Sequence, residues 1–122
     1  MLFVSGQSPD LNLTHQVYEF FTSKYEIARD VEVYHTDLSD DNAFGFTEEN
    51  GEEQFVQIHN NLNKTDYVTT LLHELVHVVQ NERGEYDDEK REEEAYRMEG
   101  VLYSEFLHSC EQQCVPHVLV AQ

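Results

Sequence analysis

Apolar side chains return along this chain at two spacings, and the switches between them mark its elements. From Leu11 to Ala28, Leu13, Val17, Phe20, Phe21 and Tyr25 fall at i, i+3 and i+4, which predicts an amphipathic helix following Ser8-Pro9-Asp10. Three short runs then read as strands: Val31 to His35, Ala43 to Thr47 and Gln54 to His59. Asn50-Gly51 between the last two is a strong hairpin signal, so a small, mostly antiparallel three-stranded sheet is expected. Helical spacing resumes from Asp66 to Glu82, where Val68, Leu71, Leu72, Leu75, Val76 and Val79 share one broad face. Thr65 is its expected N-cap and Arg83-Gly84 its expected stop. A last helix is predicted from about Asp88 to Leu107, capped by Asp87 or Asp88, with Ala95, Met98, Leu102 and Phe106 inward and Pro116 excluded. Helix, small sheet, helix, helix makes an α+β domain, and the short connection at Gly84 predicts that the last two helices run antiparallel.

Composition narrows the classes. A chain of 122 residues is one domain at most, spanning 1–122, and can bury a real core. Hydrophobic residues make up only 39%, yet Tyr 7 and Phe 7 lift the chain out of the disordered class. Twenty-five Asp and Glu against seven Lys and Arg give a net charge of −18, which argues against nucleic acid or an anionic membrane surface as partner. No apolar run approaches the roughly 20 residues that cross a bilayer. Met1-Leu2-Phe3-Val4 runs straight into Ser, Gly, Gln and Pro without the pattern of a secretory signal, so a cytoplasmic protein is expected. Cys110 and Cys114 are too few for a disulfide framework.

The chemistry concentrates in His73-Glu74-Leu75-Val76-His77, an H-E-x-x-H string on a predicted helix. Residues i and i+4 on a helix are stacked neighbours about 6 Å apart, so both imidazoles can turn one nitrogen to the same Zn²⁺. Glu74 is rotated about 100° round the axis, flanking the metal without binding it, where a general base for water would sit. On the helix, Val68, Leu71, Leu75 and Val79 share the core face, while Asp66, Thr70, His73, His77 and Gln80 form a stripe opposite. Catalytic zinc takes a third protein ligand. Axial rise places Glu92, Glu93 and Glu94 of the next helix level with the histidine pair. Glu93 points to solvent, whereas Glu92 and Glu94 flank the inward face from opposite sides, and geometry alone does not choose between them.

From Leu72 to Met98 the chain resembles the gluzincin branch of zinc metallopeptidases, in which H-E-x-x-H is followed one helix later by E-x-x-A. It is especially similar to small bacterial and phage-type metallopeptidase domains, through His73-Glu74-Leu75-Val76-His77-Val78-Val79-Gln80 and Glu92-Glu93-Glu94-Ala95-Tyr96-Arg97-Met98. The resemblance implies a minimal zincin-like fold, with a zinc-binding core at about 54–107 and a tail at 108–122. It implies one zinc held by His73, His77 and Glu92, with Glu94 the alternative, and Glu74 as base in hydrolysis of a peptide or protein substrate. It also implies that the strand Gln54 to Asn60 lines the cleft and takes substrate as an added strand. One departure stands out: Tyr96 occupies the place where the family often has Asp or Asn to orient a ligating His. Tyr86, Tyr96, Tyr103, His108 and His117 are all candidate donors to an oxyanion.

Other features carry less. His108, Cys110, Cys114 and His117 are four potential ligands in ten residues, but C-x-x-x-C lacks finger spacing and reads as a packed or solvated tail. His15, His35 and His59 stand isolated and are expected to carry no chemistry. Beyond the proposed ligand, the acidic run from about Asp87 to Glu94 reads as a solvated face, one that could also make the cleft electronegative and favour basic peptides. Two rival readings are a zinc-binding pseudo-enzyme without turnover and an acidic mimic of DNA.

Overall fold

Two strands show the strict alternation that a half-buried sheet demands. In Asp30–Thr36 the residues Val31, Val33 and His35 are buried, and in Glu53–His59 it is Gln54, Val56 and Ile58. In the computed structural model, which describes residues 1–7 and 10–121 with side chains through residue 110, these runs are β2 and β4. The remaining elements are β1 (Leu2–Gly6), α1 (Leu11–Thr22), a single 3-10 turn at Ser39–Asp41, β3 (Gly45–Glu49), α2 (Lys64–Arg83) and α3 (Asp88–Ala121). Among the described residues this is an α+β arrangement of three long helices and one sheet, and no helix is long and apolar enough to cross a membrane.

The sheet departs from expectation. It has four strands in the order β1-β2-β4-β3 and is mixed, with β1–β2 and β2–β4 parallel and only β3–β4 antiparallel. The extra strand, β1, is five residues long without clean alternation, too little for a periodic signal. Once β1 pairs with β2, α1 becomes the crossover that parallel strands require. The Asn50-Gly51 hairpin forms as predicted, but β4 inserts beside β2 and leaves β3 outermost. Gln54 to Asn60 is therefore no free edge: β4 is hydrogen-bonded on both sides, and the open edge near the helices belongs to β3.

Helix limits follow local chemistry. Helix α1 stops at Thr22, short of Ala28, yet Tyr25 still stacks on Phe21 at 4.8 Å, so the apolar period outlasts the helix. Helix α2 begins at Lys64, two residues before the expected start, and its cap is Asn63 rather than Thr65, because the Asn63 side chain accepts from Asp66 N at 2.8 Å. It ends where predicted, with Gly84 left-handed at φ 71 and its N–H returned to Asn81. Helix α3 starts at Asp88 but continues to Ala121 and takes in Pro116, because a proline removes one helical hydrogen bond and bends a helix without having to end it. All three helices contribute to one core with the sheet, through Val17 and Phe21, Leu72 and Leu75, Leu102 and Phe106, against Val33 and Val56.

Polar groups inside this core are paired. Asn81 Nδ2 donates to Gln54 Oε1 at 2.9 Å, and Gln54 Nε2 donates to the Val78 carbonyl at 3.1 Å, joining β4 to α2. His35, only 2% exposed, donates from Nδ1 to the Ser5 carbonyl and accepts at Nε2 from the Tyr67 hydroxyl at 2.7 Å. Burial holds the His35 pKa below its ordinary 6.5, against the opposing pull of the Ser5 bond, and pushes the Tyr67 hydroxyl up to about 12. A histidine with a depressed folded pKa contributes its full stability above 6.5 and loses it as pH falls toward the folded value. Urea unfolding of the metal-free protein should therefore show stability falling below about pH 6.5, and His35→Gln should flatten that slope.

Candidate metal centre

Helix α2 is buried on nearly every side from Tyr67 to Asn81, its apolar side against α1 and the sheet and its polar stripe beneath α3 and β3. His73 and His77, one turn apart, are 8% and 7% exposed, with ring centroids 4.9 Å apart at 80°. From α3, Glu92 Oε1 reaches to 2.6 Å from His77 Nε2 and 3.7 Å from His73 Nε2. One ligand atom from each of these three residues lies within 4.8 Å of the others, a grouping compatible with a metal ion. Glu94 is elsewhere: its carboxylate accepts from Gln80 Nε2 at 2.9 Å.

The other ring nitrogens are engaged too. His73 Nδ1 lies 2.7 Å from Glu99 Oε2, and His77 Nδ1 lies 2.8 Å from Gln80 Oε1. Neutral imidazoles bonded this way keep their lone pairs on Nε2, both facing the Glu92 carboxylate. Two lone pairs and an anionic oxygen repel one another unless a cation or a proton sits among them. The donor set of two imidazole nitrogens and one carboxylate oxygen is one that zinc accepts, so the residues fit such an ion.

Glu74, the residue between the histidines, points to the sheet side. Its carboxylate accepts from Thr47 Oγ1 at 2.7 Å, and the residue is 6% exposed. Burial raises its pKa; the Thr47 bond and the two histidines pull the other way, and Glu92 adds to the rise. Gly45, two residues earlier on the same face of β3, makes room for it. A Cβ there would stand 3.2 Å from Glu74 Cγ and 3.0 Å from both the Gln57 carbonyl and Thr70 Cγ2. Gly45, Thr47, Thr70, His73, Glu74 and Glu92 line a cleft of about 750 Å³ whose rim carries the exposed rings of Phe44, Phe46 and Tyr96.

The candidate oxyanion donors separate. Tyr96 lines the cleft, its ring edge-on to His73 with centroids 4.8 Å apart. The Tyr86 hydroxyl donates to Glu49 at 2.7 Å, and that of Tyr103 to Thr65 at 3.3 Å. His108 lines a hollow between α1 and α3, well away from the cleft. Cys110 is half-buried near Gln16, while the side chains of Cys114 and His117 fall outside the described residues. Sequence reasoning gave no role to Gly45, Thr47, Gln80 or Glu99. The last two carried a signal: Gln80 is one turn beyond His77, and Glu99 two turns beyond Glu92 on the same helix face.

A helix bearing two histidines, a carboxylate from the next helix and a sheet edge beside them describe a metallopeptidase-type domain. The chain belongs to the family of the IrrE N-terminal-like domain, a zinc metallopeptidase-like family, whose profile matches residues 26–111. No curated protein and no solved structure matches it.

Thr47 is the hydrogen-bond donor to the buried Glu74 carboxylate. Thr47→Val, nearly isosteric, should destabilise the metal-free protein by about 1–3 kcal/mol in urea unfolding. Thr47→Ser should recover most of that loss.

Proposed function

We propose that this domain is a zinc-dependent peptidase, with His73, His77 and Glu92 holding the ion and Glu74 serving as general base. The observation that carries the reading is the convergence of His73 Nε2, His77 Nε2 and the Glu92 carboxylate beside a buried glutamate. A zinc ion held there supplies Lewis acidity, lowering the pKa of water and polarising a peptide carbonyl. Glu74 takes the proton of the attacking water and passes it to the leaving nitrogen as the amide bond breaks. Thr47 binds one Glu74 oxygen and leaves the other for that transfer. Glu94, bonded to Gln80, is the weaker choice of third ligand.

The substrate in this reading is an extended peptide or protein segment laid along the open side of β3, with backbone pairing supplying affinity. Tyr96 is the hydroxyl donor on the cleft side, and Phe44 and Phe46 offer apolar contact at the rim. Nucleic acid and membrane surfaces are poor partners for a net charge of −18.

Metal analysis of the purified protein should return one zinc per chain, and His73→Ala should abolish it. Glu74→Gln should keep the zinc and lower hydrolysis of a peptide library by about 10²–10⁴-fold. Stoichiometric zinc with no Glu74-dependent turnover would leave a pseudo-enzyme, and absence of zinc binding would remove the metal reading altogether.

A further inference from the structure

The metal reading needs each imidazole to arrive with its proton on the far nitrogen, and nothing in the ring itself ensures that. A neutral histidine carries one N–H, and the partner of that N–H decides which nitrogen keeps a lone pair. Here both partners are set by α3. Glu99 lies two turns beyond Glu92, so the two carboxylates project from one stripe of the helix toward the histidine stripe of α2. Glu92 meets the Nε2 side of the pair and Glu99 the Nδ1 side of His73, at 2.7 Å. An ionised carboxylate only accepts, so His73 must offer Nδ1–H and keep Nε2 free for a ligand bond.

His77 is governed less directly. Its partner, Gln80, has an amide whose orientation is fixed by its nitrogen, which faces two acceptors: the Arg91 carbonyl at 3.0 Å and Glu94 Oε1 at 2.9 Å. The amide oxygen is thus left for His77 Nδ1 at 2.8 Å. His73 is backed directly by a carboxylate, whereas His77 is backed by an amide with a carboxylate, Glu94, one hydrogen bond further out. Tyr96, packed edge-on against His73, makes no hydrogen bond to its Nδ1, which Glu99 already occupies.

We propose that Glu99 is the positioning residue of the metal centre, holding His73 in the tautomer and orientation that turn Nε2 to the metal. This rests on the zinc site proposed above. Glu99 touches no substrate and acts only through His73. Outer partners of this kind typically account for about 10–100-fold in metal affinity.

The test uses the whole chain and zinc alone, with affinity measured by competition against a chromophoric chelator. Glu99→Ala should weaken zinc binding by about 10–100-fold, and Glu99→Gln, which keeps an acceptor without the charge, should fall between it and the wild type. Nitrogen-15 spectra of the histidine rings in the zinc-loaded protein should show His73 Nδ1–H protected from exchange in the wild type and exposed in Glu99→Ala. Zinc affinity of Glu99→Ala within about threefold of the wild type, with that protection retained, overturns the proposal. Should the alanine protein fail to fold, Glu99→Gln decides: an affinity equal to wild type overturns it, and a loss of several-fold supports it. A wild type that takes up no zinc overturns the metal site and this inference together, whereas tight wild-type binding with unaltered variants overturns Glu99 alone.

Discussion

The structure turns on a helix that is buried on its polar side as well as its apolar one. Leu72, Leu75 and Val79 of α2 enter the core, but Tyr67, His73, Glu74, His77, Gln80 and Asn81 are withdrawn from water too. A buried polar group without a partner costs about 1–3 kcal/mol, so every such side chain must be met by something. Each neighbouring element supplies one: β2 meets Tyr67 through His35, β3 meets Glu74 through Thr47, β4 meets Asn81 through Gln54, and α3 meets His73 and Gln80 through Glu99 and Glu94. Among the described residues no buried side-chain nitrogen or oxygen lacks a partner. The precision of the candidate centre is therefore a by-product of satisfying the helix. A shift of α2 by a fraction of a turn would break several bonds at once.

Burial also separates the carboxylates that share this centre. Glu74 is nearly enclosed, and burial raises its affinity for a proton. Glu92 keeps half its side chain in water while its Oε1 faces the imidazoles. The two acids thus sit in unlike surroundings, one enclosed against the sheet and one at the water boundary. Thr47 moderates the difference by donating to Glu74 and limiting how far burial can push it.

Local pattern was enough for much of this. The alternation in β2 and β4, the Asn50-Gly51 turn, the Gly84 stop and the H-E-x-x-H spacing are short-range features, and each stands where the sequence places it. Long-range pairing was not legible. Leu2–Gly6 has too few residues to declare a period, and nothing local to β4 says that it pairs with β2 as well as with β3. Glu92 and Glu94 could not be separated on a helical wheel because both flank the inward face. Gln80 separates them in space by taking Glu94 as its acceptor. Thr47 and Gly45 were invisible for a related reason, since a strand's contact with a helix depends on sheet order, which the local pattern does not encode.

Sheet order in turn decides which backbone is exposed beside Glu74. The crossover through α1 makes β1 and β2 parallel neighbours, and β4 follows on the far side of β2, so its hairpin partner β3 has only the rim left to occupy. An edge strand presents unpaired N–H and C=O groups, which most proteins cover or blunt. At the far end of β3 the Glu49 carboxylate is held by Arg29 at 2.8 Å and by the Tyr86 hydroxyl at 2.7 Å. Its first residues, Gly45 to Thr47, line the cleft instead, beside His73 and Glu74. The Cβ-free Gly45 keeps the strand pressed against Glu74, and Thr47 on the same face fixes the carboxylate. The open part of the edge and the buried acid are thus held in register by two residues of one strand. A chain docking along that edge would have its backbone placed by the same strand that holds the Glu74 carboxylate.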